Sequence, residues 1–159
     1  MTTGAVFRSE GFYEMLGCES GDFEGRVGDW YHLVVPEDYA AVQMRLAEYL
    51  EGKLERNEIE FRVRKPSGDV IWIQSRGQVV ARDELGKPLR MVGTHTDVTD
   101  RKKLEVALQE SENRFRSIFK NHDAIMLLIE PETGQIIDAN RSAVRFYGYD
   151  LPELLEMRM

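Results

Sequence analysis

The hydrophobic period of this chain changes once, near residue 99, and that change limits the folds open to it. Glu58-Ile59-Glu60-Phe61-Arg62-Val63-Arg64 alternates strictly, so Ile59, Phe61 and Val63 face a core while the charges face water. Pro66-Ser67-Gly68-Asp69 is turn chemistry, and Val70 to Ala81 reads as a second, longer strand. After the turn Asp83-Glu84-Leu85-Gly86, Leu89 to Val98 reads as a third. Strands joined by tight turns make an antiparallel meander. From Thr99 the period becomes about 3.5: Leu104, Leu108, Ser111, Phe115 and Ile118 form an a/d seam on a helix, with Thr99 as N-cap and Asp100 behind it.

The flanks carry shorter elements. Ala5-Val6-Phe7 reads as a strand, and Ser9 as the cap of a helix through Phe12, Tyr13, Met15 and Leu16 that stops at Gly17. Residues 18–29 read as loop. Trp30 to Val35 is an apolar turn, and Pro36 opens a strong helix with Glu37 and Asp38 in its first turn. Val42, Leu46, Tyr49 and Leu50 share one face of it, and Gly52 ends it. Beyond the seam, Ala124 to Ile129 and Gln135 to Asp138 read as a hairpin about Pro131-Glu132-Thr133-Gly134. Asn140 caps a helix through Ala143, Val144 and Phe146 that ends near Gly148, and another starts around Leu151-Pro152-Glu153. The two ends repeat. Val6 to Ser9 followed by Phe12 to Gly17 parallels Ile136 to Asn140 followed by Val144 to Gly148.

Composition narrows the function. With 28 acidic and 21 basic residues among 159, the net charge is −7, which argues against binding nucleic acid or an anionic membrane surface. An apolar fraction of 42% is that of a folded domain. The single cysteine, Cys18, has no disulfide partner in the chain. His32, His95 and His122 are too far apart for metal-ligand spacing. There is no membrane-spanning run and no signal-peptide pattern at the N-terminus, so the cytoplasm is the expected compartment. Nothing clusters a nucleophile with a base, so no catalysis is expected.

In their order and spacing these motifs resemble the PAS sensory-domain family with its C-terminal PAC segment. In the first copy they are Phe12 to Gly17, Trp30 with Val35-Pro36-Glu37-Asp38, Ser67-Gly68 before Trp72, Asp83 to Gly86, and Gly93 leading into Asp97-Val98-Thr99-Asp100-Arg101. In the second they are Arg114-Phe115 to Phe119, Gly134-Gln135-Ile136, Asn140 and Tyr147-Gly148-Tyr149. The resemblance implies an α+β fold: an antiparallel five-stranded PAS-like sheet with flanking helices, here split, followed by a signalling-type helix and an incomplete second module. The expected division is residues 1–98, a PAS/PAC module lacking its first strand; 99–121, a coiled-coil-like linker; and 122–159, the N-terminal part of a second module. Because that first strand is missing, Ala124 to Ile129 is expected to pair with Leu89 to Val98, within the chain or by exchange between protomers.

Candidate roles follow. Alternation places Met91, Gly93 and His95 on the core face of the third strand. In light-sensing relatives a cofactor-contacting glutamine falls at the position of His95. The alternative for His95 is a core histidine satisfied by a backbone carbonyl. Pocket candidates are His95, Met91, Phe61, Val63, Ile73 and Val42. Trp72 falls on the outer face, where a helix or a partner subunit would cover it. Asp97, Thr99 and Arg101 form the signal junction, and Leu104, Leu108 and Phe115 the dimer seam. No cofactor is expected. Haem-binding relatives carry their axial histidine on the helix after Pro36, which here has none, and Cys18 lies outside the flavin-adduct motif. The implied function is sensing and relay in a dimeric cytoplasmic signalling protein, with an output such as the histidine kinase of a two-component system or a diguanylate cyclase. A ligand-free dimerisation scaffold is the competing reading.

Overall fold

The computed structural model describes residues 6–26 and 28–159. These form two compact units, one through Lys102 and one from Lys103 to Met159.

In the first unit, helix α1 (Glu10–Leu16) ends at Gly17, whose φ of 69° is the left-handed conformation a helix stop requires. A 3₁₀ turn (Tyr31–Leu33) leads into α2 (Pro36–Leu50). Three strands follow, β1 (Asn57–Arg64), β2 (Val70–Arg82) and β3 (Pro88–Asp97), in the antiparallel order β1-β2-β3. Phe61 lies opposite Ile73, Val63 opposite Ile71, and Ser75 opposite His95. The alternation read from the sequence therefore fixes one buried face. Phe61, Val63, Ile71 and Ile73 join Phe12, Leu16, Trp30 and Val42 in a single apolar cluster. Gly77 and Gly93 face each other across β2 and β3, and a Cβ on Gly93 would lie 2.5 Å from the carbonyl oxygen of Arg76. Only glycine allows the backbones to approach so closely.

Helix α2 is pinned to β1 by one side chain. Asp38 accepts hydrogen bonds from the Arg62 backbone N–H (2.8 Å), from its Nε (2.9 Å) and from its Nη2 (2.7 Å). The Arg62 hydrogen bonds hold the Asp38 carboxyl below its ordinary range, against the opposing effect of burial. The sequence assigned Asp38 only to the helix dipole, and the structure adds this tertiary contact.

Helix α3 (Thr99–Asn121) begins in the first unit and continues in the second. The second unit then holds the hairpin β4 (Leu127–Ile129) and β5 (Ile136–Ala139), followed by α4 (Arg141–Tyr147) and α5 (Leu151–Leu155). The centre of this unit is Asn140, 1% exposed. Its Nδ2 donates to the carbonyls of His122 (3.2 Å) and Ala124 (2.8 Å). Its Oδ1 accepts from the N–H groups of Met126 (3.1 Å) and Ala143 (2.9 Å). All four hydrogen-bonding positions of the amide are thereby used.

Five expectations are corrected. Val6 and Phe7 are not strand, and Ala5 lies outside the described residues. Strand β4 starts at Leu127 and not at Ala124, because the backbone polar groups of Ala124 and Met126 are taken by Asn140. Thr99 does not cap α3 with its hydroxyl. That Oγ1 accepts the N–H of Trp72 (2.9 Å), while Asp97 Oδ1 accepts the N–H of Thr99 (2.8 Å). Met91 is 37% exposed, because this end of the sheet lies where Val80, Leu89 and Val92 are exposed too; the Met91 side chain lies across Gly77 instead. The expected intrachain ladder between 124–129 and 89–98 is overturned: β3 pairs with β2, and β4 with β5.

Candidate functional site

Four of the six pocket candidates converge. Val42, Phe61, Val63 and Ile73 belong to one cluster, with exposures between 0% and 7%. His95 meets that cluster edge-on, its ring centroid 5.1 Å from Trp30 and 5.4 Å from Phe12. Trp30 in turn lies 5.8 Å from Phe61. The sixth candidate, Met91, is not part of this group. Burial pushes the imidazolium of His95 down to a pKa of about 4 from an ordinary 6.5, and the charge of Arg8 adds to the effect. His95 is therefore a neutral ring at physiological pH.

Arg8 was not singled out from the sequence. Its side chain is 5% exposed and pairs with the Asp29 carboxylate, and its Nη2 donates to the carbonyl of Arg26 (2.9 Å). Its guanidinium stands over two rings, 5.5 Å from Phe12 and 5.3 Å from Phe23. An isolated arginine near an acidic, glycine-rich stretch gives no local sign that it will be enclosed, because its partner lies 21 residues away.

The junction residues sit where strand becomes helix. Trp72 in the central strand donates its N–H to Thr99 Oγ1, and its carbonyl accepts from the N–H of Val98 (2.9 Å). Two consecutive backbone groups of β2 thus hold the start of α3. On the outer sheet face, Lys102 reaches Glu60 (2.7 Å), and Arg101 pairs with the same carboxylate. Lys102, and then Arg101, hold the Glu60 carboxyl below its usual range despite burial. Lys102 Nζ and Arg62 Cζ lie 5.3 and 5.7 Å from the Trp72 ring centroid, so the tryptophan expected on the outer face is flanked there by the first turn of α3 and by a cation of β1. The proposed seam residues Leu104, Leu108 and Phe115 are 72%, 62% and 53% exposed.

The other histidines serve locally. His32 Nδ1 contacts the carbonyl of Asp29 (2.9 Å), and His122 Nδ1 accepts the N–H of Ala124 (3.0 Å). In the second unit an open cleft of about 620 Å³ is lined by residues that include Lys120, Asp138, Arg141 and Arg145. Among the described residues, no helix is long and apolar enough to cross a membrane.

Residues 5–95 match the family model described as PAS fold, and residues 113–159 match one described as PAS domain. A solved sensory box histidine kinase/response regulator from Burkholderia thailandensis is 39% identical, with a TM-score of 0.60 over 72% of this chain and 84% of that one. The N-terminal domain of a diguanylate cyclase with PAS/PAC sensor from Marinobacter aquaeolei shares the fold at 24% identity (TM-score 0.54, 63% of this chain and 90% of that one). An uncharacterised protein of Sinorhizobium fredii is 36% identical over 105 residues, 66% of this chain and 12% of that protein. Sporulation kinase E of Bacillus subtilis is 38% identical over 64 residues, 40% of this chain and 8% of that protein. The chain thus spans only a small part of the length of such relatives.

Proposed function

The chain belongs to the PAS family and is a sensory signalling module; from that premise we propose that it relays a signal from the apolar core of its first unit into a dimeric helix α3. The observation that carries this reading is the pair of hydrogen bonds from one residue of the central strand, Trp72, to Val98 and Thr99 at the start of α3. A change in packing at His95 reaches Asp97 two residues later, and Asp97 holds the first N–H of the helix. The core thereby biases the register or rotation of α3, and a ligand or partner shifts that balance only by its differential affinity for the two states. The module itself is not an enzyme. It acts as a cytoplasmic homodimer, and its output domain is of the histidine kinase or diguanylate cyclase class, as in the relatives.

The seam is tested by sedimentation. Leu104, Leu108 and Phe115 are exposed apolar side chains on one helix, and burying each in a dimer contributes about 1.5–3 kcal/mol. Leu104→Glu with Leu108→Glu is expected to give monomer, and an unchanged mass overturns the dimer seam. The relay is tested by hydrogen exchange. Asp97→Ala is expected to raise exchange across the first two turns of α3, and unchanged protection there overturns the relay.

A second reading has its own observation. Leu16, Val63 and Ile73 are fully enclosed, and Phe12, Trp30, Phe61 and His95 touch ring to ring. A core filled by its own side chains also suits a scaffold that dimerises without ligand. Mass spectrometry of small molecules released from the purified protein separates the two.

A further inference from the structure

Residues 17–26 form a largely polar and exposed segment with one exception. Phe23 is the only buried residue in it, 8% exposed. Its ring stacks on Tyr13 (centroids 5.8 Å apart, planes 26° apart) and meets Phe12 at 6.1 Å. The Arg8 guanidinium lies 5.3 Å from the ring centroid. The same guanidinium is neutralised by the Asp29 carboxylate, which also accepts the N–H of Arg26 (3.0 Å). Residues 23 and 29 therefore present an aromatic ring and a carboxylate together, to one aromatic wall and one enclosed cation.

We propose that Phe23 and Asp29 are an internal stand-in for a small arylalkanoic acid, and that the place they occupy between Tyr13, Phe12 and Arg8 is the module's ligand site. The proposal rests on the sensory reading above and names its ligand class. The chemistry sets the class. An arginine that is 5% exposed needs an anion, so a ligand that displaces Asp29 must bring its own carboxylate. The wall selects a flat ring, because Tyr13 offers a stacking face and Phe12 an edge. Release is local, since Phe23 is the segment's one buried side chain and Cys18 packs against the core only in part. The site also touches the relay, because Phe12 contacts both Phe23 and His95.

The test is calorimetric titration of the chain with 3-phenylpropionate and with 3-phenylpropanol, which share ring and chain length and differ in charge. Phe23→Ala is expected to bind the acid at least tenfold tighter than the unaltered protein does, and at least tenfold tighter than it binds the alcohol. Adding Arg8→Met is expected to erase that preference while alcohol binding persists. Equal affinity of the Phe23→Ala protein for acid and alcohol overturns the proposal, as does the absence of binding by a protein whose circular dichroism is native. Should Phe23→Ala not fold, Asp29→Asn decides: it leaves Phe23 in place, frees Arg8, and is expected to raise acid affinity at least fivefold with the alcohol unaffected. Unchanged acid affinity there overturns the site. Hydrogen exchange of α3 separates the two ideas, since selective acid binding without any change in α3 upholds the site and overturns the relay.

Discussion

Helices α1 and α4 are the same motif in two settings. Each has seven residues, follows an extended N-cap residue (Ser9 or Asn140) and ends at a left-handed glycine, Gly17 with φ 69° or Gly148 with φ 75°. Aligned on those glycines, Phe12 corresponds to Ala143 and Leu16 to Tyr147. The first pair is buried in both units, at 9% and 0%. The second pair diverges: Leu16 is fully enclosed, while Tyr147 is 41% exposed and its neighbour Phe146 67% exposed. Leu16 packs into the cluster of a three-stranded sheet, whereas the core about α4 is built on Ala139, Ala143 and Leu154 beside a two-stranded hairpin. The caps diverge in the opposite sense. Ser9 makes no side-chain cap bond, but Asn140 caps α4 and ties to it three residues of the stretch after α3, His122, Ala124 and Met126. One unit is held by apolar burial and the other by a polar centre.

That contrast can be broken most directly at its two anchors. Leu16→Ala is expected to cost about 2–5 kcal/mol of the first unit's stability by urea denaturation, because it opens a cavity at a site with no exposure. Tyr147→Ala, at the matching position, is expected to cost less than about 1 kcal/mol. Equal losses would dissolve the distinction. In the second unit Asn140→Ala is expected to cost about 3 kcal/mol, since it empties a buried position, removes a helix cap, leaves the buried N–H of Ala143 without that partner and releases the backbone groups of His122, Ala124 and Met126 from it. Ser9→Ala should change stability by under about 0.5 kcal/mol.

A pH titration sharpens the same comparison. His95 has a folded pKa of about 4 against an ordinary 6.5, so between these values the unfolded chain holds a proton that the native chain does not. Stability of the first unit is therefore full above pH 6.5 and falls as pH drops toward 4, by up to about 3 kcal/mol. Asp38 and Glu60, whose folded pKa values are lowered, add their own loss only as pH falls below the ordinary carboxylate range. His95→Gln is expected to flatten the upper window and leave the lower one. A slope that persists between pH 6.5 and 5 in that variant would locate the titration elsewhere. Among the variants expected to lose stability, the smallest effect belongs to the shared feature. Gly17→Ala and Gly148→Ala should each cost about 1 kcal/mol, because both residues hold φ values that alanine rarely adopts.

The local features of this protein were legible in its residues. Alternation from Glu58 to Arg64, the turns at Ser67-Gly68 and at Asp83 to Gly86, the stop glycines and the Asn140 cap each depend on neighbours within a few positions, and each was placed within a few residues of where it lies. The outward face of Trp72 and the inward face of His95 followed from the two-residue period of a strand. What the sequence could not disclose were partners brought together from a distance. Asp38 meets Arg62 across 24 residues, Arg8 meets Asp29 across 21, and Thr99 gives its hydroxyl to Trp72 instead of to its own helix. Phe23 looked like a loop residue because its segment is polar, and Met91 looked like a core residue because its strand alternates. Periodicity states which side of an element a residue occupies; whether another element stands on that side, and so whether the residue is buried, is decided only when the chain is folded.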